Sequence, residues 1–369
     1  MDVQKKIGEY MDITKNEGKW LMLSLLLPKI FFTPIYNLIK RSGTGAYLEV
    51  ILLSTIAFLL TAIIIKLYSA FEGNDIYSII HFACGNVGVI IVGTLLFILS
   101  LINTAIMFRI FSSVISLITL KSSTLIYIMI FIALTIFVSA RKGINGLSKI
   151  SVLWGVIISV VLISIILMSI PEMDANNIFP VFGKGMPSLL SGYEDISIFY
   201  EIVYFIFLLP YITKNYKNVG YKGIIYFSLI LLVFTLAYIL LIPYPTSEKF
   251  KFPLLQITSS VNLDILFQRI EALYLIAIIF SSFVYLGTTF TISINIARHT
   301  FCISDYKALI GAFLIIVFTS ALLFENTESA FIAQNIFSKI FFVIGYISVI
   351  FILTLANIKK KLIKGENKK

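Results

Sequence analysis

Two charged residues lie inside apolar runs, where charge is costly. Lys29 falls in Leu25-Leu26-Leu27-Pro28-Lys29-Ile30-Phe31-Phe32-Thr33-Pro34, and Glu201 in Ile196-Ser197-Ile198-Phe199-Tyr200-Glu201-Ile202-Val203-Tyr204. A lysine at the centre of a membrane helix costs about 2.5–3.5 kcal/mol on insertion scales, so it faces protein or a water-filled cavity or pairs with an anion. The chemistry such a pair offers is recognition of a polar small molecule, or replacement of a bound cation, rather than bond making. Lys29 is too central to snorkel easily to the headgroups. For Glu201 two readings stand: a carboxylate in the outer third of its helix reaching the headgroups, or a pocket carboxylate that partners Lys29. Tyr200 and Tyr204 flank it at helical spacing, as packing residues or as ligand contacts. Pro28 and Pro34 each remove a backbone hydrogen bond and interrupt the helix around Lys29 and Thr33.

Further polar residues in apolar surroundings are Asn103, Arg109, Lys339, the pair Ser281-Ser282 and the pair Thr288-Thr289. Serine and threonine in helices commonly bond a carbonyl three or four residues back, which competes with a role in holding a cation. Arg109 and Lys339 fall near predicted helix ends, within snorkelling reach. The candidate ligand-binding set is therefore Pro28, Lys29, Thr33, Asn103, Tyr200, Glu201, Tyr204, Ser281 and Ser282. No Walker loop, nucleophile elbow or metal-ligand spacing occurs, which argues against an ATP-driven pump and a conventional enzyme and points to no cofactor.

The elements that position these residues are membrane helices. With 59% hydrophobic and 13% charged residues in 369, and a mean hydropathy of +0.99, the chain carries more apolar surface than a soluble core can hide. The apolar residues come in blocks of about twenty, the length that spans a ~30 Å hydrocarbon core as a helix. The spacing predicts about ten spans: 20–38, 46–68, 86–108, 124–140, 150–170, 196–211, 223–242, 269–297, 308–324 and 333–358. Residues 110–120 continue apolar, as an extension of the third span or as a surface helix. The chain thus divides into a polar N-terminal segment (1–19), a membrane domain (20–358) and a basic tail (359–369). The first block is full length and follows a polar segment of mixed charge, so it reads as a retained helix rather than a signal peptide.

The net charge of +10 is distributed in a way that disfavours nucleic acid as a partner. If the N-terminus is cytoplasmic, Lys66, Arg141, Lys142, Lys149, Lys217, Lys222, Arg298, Lys307 and the tail all fall on the cytoplasmic side. The other side is rich in acids, including Glu172, Asp174, Glu194, Asp195, Glu248 and Glu328. This positive-inside bias predicts both termini in the cytoplasm, with the tail against anionic lipid. Cys84 and Cys302 fall on cytoplasmic loops in this topology, where a disulfide is not expected.

Lys29 and Glu201 occupy spans one and six. Transporters built from two inverted five-helix repeats interrupt helices at corresponding positions in each half and place the ligand between them. The expected fold is an all-α integral membrane protein of this kind, with interrupted helices one and six. The expected pocket lies between helices one, three, six and eight.

Three stretches carry a family resemblance: Gly146-Leu147-Ser148 entering the fifth helix, Asp174-Ala-Asn176-Asn177-Ile-Phe-Pro180-Val181-Phe-Gly183-Lys-Gly185 after it, and Phe267-Gln-Arg269-Ile-Glu271 entering the eighth. Their order and spacing resemble the spore germination permease family, the B subunits of endospore nutrient-germinant receptors, within the amino acid, polyamine and organocation transporter superfamily. The resemblance covers nearly the whole chain. It implies a receptor subunit that binds a small nutrient, working beside an A subunit and a C-subunit lipoprotein in the spore inner membrane. The rival expectation is a proton-coupled amino-acid transporter, and a third is an assembly subunit with a vestigial pocket. Where relatives carry Gly-x-Gly in the first helix, this chain has Leu27-Pro28-Lys29, which inserts a cation where relatives bind a substrate carboxylate or sodium. Arg269 and Glu271, at the mouth of the eighth helix, are expected to be mainly structural.

The charge asymmetry makes a topological prediction. A membrane-impermeant thiol reagent added from outside should label Lys184→Cys in the loop after helix five and spare Lys364→Cys in the tail. The reverse pattern would invert the topology.

Overall fold

The computed structural model describes residues 13–119, 125–212, 215–260, 271–304 and 307–366, and every regular element in them is helical. The first predicted span is two helices, α1 (Lys15–Leu26) and α2 (Pro34–Ser42), joined by a 3-10 turn (Leu27–Phe31). Thr14 and Glu17 start α1 with a reciprocal capping box. Pro28 opens the 3-10 turn and Pro34 opens α2, so the helix breaks where the prolines forbid its continuation.

Next come α3 (Ala46–Tyr68), α4 (Ile76–Thr119) and α5 (Leu125–Ser169). α4 and α5 are each interrupted by a kink, at Gly85 (φ +71°) and at Gly143 (φ +67°), in a conformation that glycine adopts without cost. The predicted fourth and fifth spans are the two arms of α5. The apolar stretch 110–119 is an extension of the third helix rather than a separate surface helix. Cys84, expected on a loop, lies in the helical turns before Gly85, while Cys302 follows α10; both thiols are free and exposed.

Helix six is also broken. It comprises α6 (Met186–Ser191), a 3-10 stretch (Gly192–Phe199), α7 (Ile202–Leu208) and a 3-10 turn ending at Tyr211. Then follow α8 (Tyr216–Leu241), α9 (Pro253–Ser260), α10 (Glu271–Thr300), α11 (Lys307–Leu322) and α12 (Thr327–Glu366). Six helices in the described residues are long and apolar enough to cross a membrane by length and composition. Arg269 lies outside the described residues, and Glu271 is the first residue of α10.

α10 packs along α4 and α5, α12 along α4, and α3 along α8, so the broken helices one and six are surrounded by continuous ones. Ile13 N–H donates to Tyr211 O at 2.8 Å, joining the start of helix one to the end of helix six. The segment 171–185 folds onto the opposite end of helix one. Asn177 Nδ2 donates to Leu240 O (2.9 Å), and Lys184 N–H donates to Ser42 O (3.1 Å). Gly183 (φ +55°) lets this loop press on the α2–α3 corner, where a Cβ would overlap Ser42 O and Gly45 N. Gly183→Ala should therefore cost more than about 1 kcal/mol, from the backbone conformation and the clash together. The expected readout is lower accumulation and a lower unfolding temperature of the detergent-purified protein. An unchanged melting curve would mean that the loop is not held this tightly.

Candidate functional site

The two breaks leave carbonyls without helical partners, and side chains from other helices take them up. Tyr274 of α10 donates its hydroxyl to Phe31 O at 2.8 Å, and Lys29 Nζ donates to Ile198 O at 2.6 Å. In lipid such groups must be satisfied within the protein, so each break is coupled to a neighbour across the bundle.

Lys29 and Glu201 form an ion pair at the crossing of the two breaks, with both side chains buried. The ammonium also stands over the ring of Tyr200, 3.7 Å from its centroid. Glu201 uses its second oxygen, Oε1, to accept from Tyr285 of α10 at 3.1 Å. Tyr200 donates to Asn103 Oδ1 (2.5 Å). Asn103 Nδ2 in turn donates to Tyr204 (3.1 Å) and Tyr285 (3.2 Å), so the whole amide is engaged. Gln334 Nε2 of α12 donates to the Tyr200 oxygen at 2.9 Å. One polar network therefore runs through broken helices one and six and through α4, α10 and α12, inside an otherwise apolar core. Most of its polar atoms find a partner within it, the condition under which buried polar groups rigidify a core, whereas the buried Gln334 Oε1 has no hydrogen-bond partner among the described residues.

A cavity of about 60 Å³ adjoins this network. Its walls are Lys29, Phe32, Thr33, Pro34 and Asn37 from helix one, Met107 and Ile110 from α4, Asp195, Ser197, Ile198 and Tyr200 from helix six, and Phe331, Gln334, Asn335 and Ser338 from α12. The volume suits a few water molecules and is well below the roughly 300–1,000 Å³ of ordinary ligand pockets. A nutrient larger than that needs the walls to part.

Of the candidate residues, Lys29, Asn103, Tyr200, Glu201 and Tyr204 come together in the network, and Lys29, Thr33 and Tyr200 also line the cavity. Pro28 acts from behind by placing the break. Ser281 and Ser282 do not line the cavity: Ser282 Oγ donates to Ile279 O at 2.6 Å, in its own helix, and the buried Ser281 hydroxyl has no partner among the described residues. Where helix eight was expected to form a pocket wall, α12 does so, and helix eight contributes Tyr285 to the network. Tyr285 and Gln334 were missed because a tyrosine or glutamine in an apolar run looks like ordinary packing until a second polar group is found opposite it. Lys339 pairs with Glu194 (2.6 Å), and Arg109 donates to Glu325 O (3.4 Å), so neither depends on snorkelling alone.

Above the cavity, Arg41 of α2 donates to Ser191 O (2.6 Å) and pairs with Asp195 (3.1 Å) and more loosely with Glu194 (3.8 Å). Burial pushes the Asp195 carboxyl above its ordinary value against the pull of Arg41, whereas the exposed Glu194 is held low by its hydrogen bond to Lys339.

The buried pair allows a direct energetic test. Lys29→Met and Glu201→Gln should each reduce accumulation, because removing one partner of a buried pair strands a charge at a cost of about 3–5 kcal/mol. The double variant should accumulate better than the worse single variant. Additive losses in the cycle would show that the two groups do not interact.

The model of the spore permease family, described as spore germination protein, matches residues 13–330. No curated protein sequence matches significantly. Among solved structures, the chain is similar to Mhp1, a nucleobase-cation-symport-1 family transporter in a closed conformation with bromovinylhydantoin bound. That match has a TM-score of 0.58 and 13% identity, over 94% of this chain and 92% of that one. It is also similar to the Eremococcus coleocola manganese transporter in complex with an aromatic bis-isothiourea substituted compound. There the TM-score is 0.58 and the identity 15%, over 91% of this chain and 78% of that one. At such identities the likeness shows the fold, that of an all-helical multipass transporter, while the sequence match over residues 13–330 shows the family: the chain belongs to the spore germination permeases.

Proposed function

We propose that this chain is the transporter-like subunit of a spore nutrient-germinant receptor, binding a small-molecule germinant, such as an amino acid, and triggering germination. The observation that carries this reading is the buried Lys29–Glu201 pair at the edge of a cavity between two broken helices, in a chain of the spore germination permease family. The reading takes about ten crossings as two inverted five-helix repeats, both termini as cytoplasmic, and the membrane as the spore inner membrane. Its partners are an A subunit and a C-subunit lipoprotein.

Lys29 is already spent on Glu201, Ile198 O and the Tyr200 ring. With the Asp195 carboxylate paired to Arg41, the polar groups left for a ligand are hydroxyls and amides, from Thr33, Asn37, Ser197, Gln334, Asn335 and Ser338. They suit a ligand that both donates and accepts hydrogen bonds. Binding must widen the cavity, and a ligand that prefers the widened form shifts the population toward it, which is how occupancy becomes a signal.

A second reading, a proton-coupled amino-acid permease, draws on the same pair: a fixed ammonium in place of a coupling ion leaves uptake independent of sodium. A strain lacking this gene separates the two. Spores of the deletion strain, tested against a panel of nutrients, should lose germination to at least one nutrient and regain it with the wild-type gene but not with Lys29→Met. Normal germination to every nutrient, together with lost amino-acid uptake by growing cells, would replace the receptor with the permease.

A further inference from the structure

Glu49 lies in the first turn of α3 and is fully buried, yet it takes no part in the Lys29–Glu201 network. Its Oε2 accepts from Ser42 Oγ at 2.5 Å. Its Oε1 is shut off from solvent and has no hydrogen-bond donor among the described residues. What it faces is another acid: the Asp195 carboxyl is within hydrogen-bonding reach. The approach is made possible by Gly192, where any Cβ would overlap the Glu49 carboxyl. Two carboxylates can only accept hydrogen bonds, so a carboxyl–carboxyl contact forms when one of them carries a proton.

We propose that Glu49 and Asp195 form a proton-binding site that latches the segment capping the central cavity. The cap is α6 with the 3-10 stretch Gly192–Phe199. Asp195 and Ile198 belong both to this cap and to the cavity wall, and Ile198 O holds Lys29. The charged groups facing the latch are Arg41 from α2, Glu194 from the cap itself and Lys339 from α12. Arg41 is divided between Asp195, Glu194 and Ser191 O, and Lys339 is held by Glu194. No cation is therefore in direct contact with Glu49 among the described residues.

With the proton in place, Glu49 donates to Asp195 and α3 holds the cap. When the proton leaves, two buried anions share one arginine. Their repulsion, and the cost of an unpaired buried carboxylate, are relieved by moving the cap away from α3. The closed form holds the proton and the open form releases it, so acid favours closure and rising pH favours access. The proposal concerns access to the cavity and does not depend on what the cavity binds.

The test uses the full chain in lipid nanodiscs, with Cys84→Ser and Cys302→Ser and with Ser338→Cys as a reporter in the cavity wall. The rate of labelling by a hydrophilic maleimide is followed from about pH 5 to about pH 9, the range over which ordinary and buried carboxyls titrate. It is normalised to labelling at the exposed position Lys249→Cys, to remove the thiol's own ionisation. The normalised rate should rise with pH, by up to about ten-fold for each unit by which the two forms differ in proton affinity. Glu49→Gln, a neutral near-isostere, should stay slow across the range, and Asp195→Asn should flatten the profile. A folded Glu49→Gln variant with the wild-type pH profile would overturn the proposal. Infrared difference spectra of the protein with native Glu49 and Asp195 give a second, independent reading: a protonated-carboxyl band should vanish as pH rises, and its absence at every pH would equally overturn it.

Discussion

A cation and an anion buried where two helices lose their backbone continuity constrain everything around them. Lys29 cannot face lipid at that depth without a large penalty, and it cannot stand alone in the core. It is held by Glu201, by the carbonyl of Ile198 that the break in helix six frees, and by the face of Tyr200. Each contact belongs to helix six, so the break in helix one and the break in helix six stabilise each other. Glu201 reaches further to Tyr285, and through Asn103 the network includes Tyr204 and α4. An intact helix at either position would close the carbonyls into its own ladder and leave the ammonium without an acceptor.

The same arrangement explains why the cavity is small and polar on one side. The walls from α12 and helix one carry amides and hydroxyls, while Phe32, Met107, Ile110 and Phe331 close the rest with apolar surface. The cap above it is tied to three different elements through Arg41, Gly192 and Lys339. Helix six can thus move only by exchanging specific contacts, which is the condition for a two-state element rather than a continuously flexible one. At the other end of the bundle, the link from Ile13 N–H to Tyr211 O joins the same two broken helices again. Helices one and six are therefore fastened to each other at both ends and in the middle, while continuous helices enclose them.

The fold is kept at 13–15% identity over most of the chain, because membrane helices need only apolar surface of the right length and small residues at close approaches. A prolyl break with a lysine serves the backbone as glycines would, and it also brings a charge that the rest of the site must neutralise.

Read alone, the sequence determined the solvent, the class of fold and the two positions where the membrane's rules are broken. These follow from apolar block length, from proline's missing N–H and from the cost of charge in hydrocarbon, all local properties of the chain. It also pointed to the family, through the loop whose Asn177 and Gly183 are now seen pinning α8 and the α2–α3 corner. It could not separate a headgroup-facing Glu201 from one paired with Lys29, because 171 residues and five intervening α-helices, α2 to α6, separate the two side chains and no local pattern reports their distance. Nor could it single out Tyr285 or Gln334, which look like ordinary packing residues in an apolar run until a second polar group is brought opposite them, or Glu49, which stands in the first turn of its helix, where a carboxylate is an ordinary feature. It kept Ser281 and Ser282 as candidates for the opposite reason: whether a helical hydroxyl bonds outward or back to its own carbonyl is decided by what the neighbouring helix presents, and that is fixed only when the helices pack.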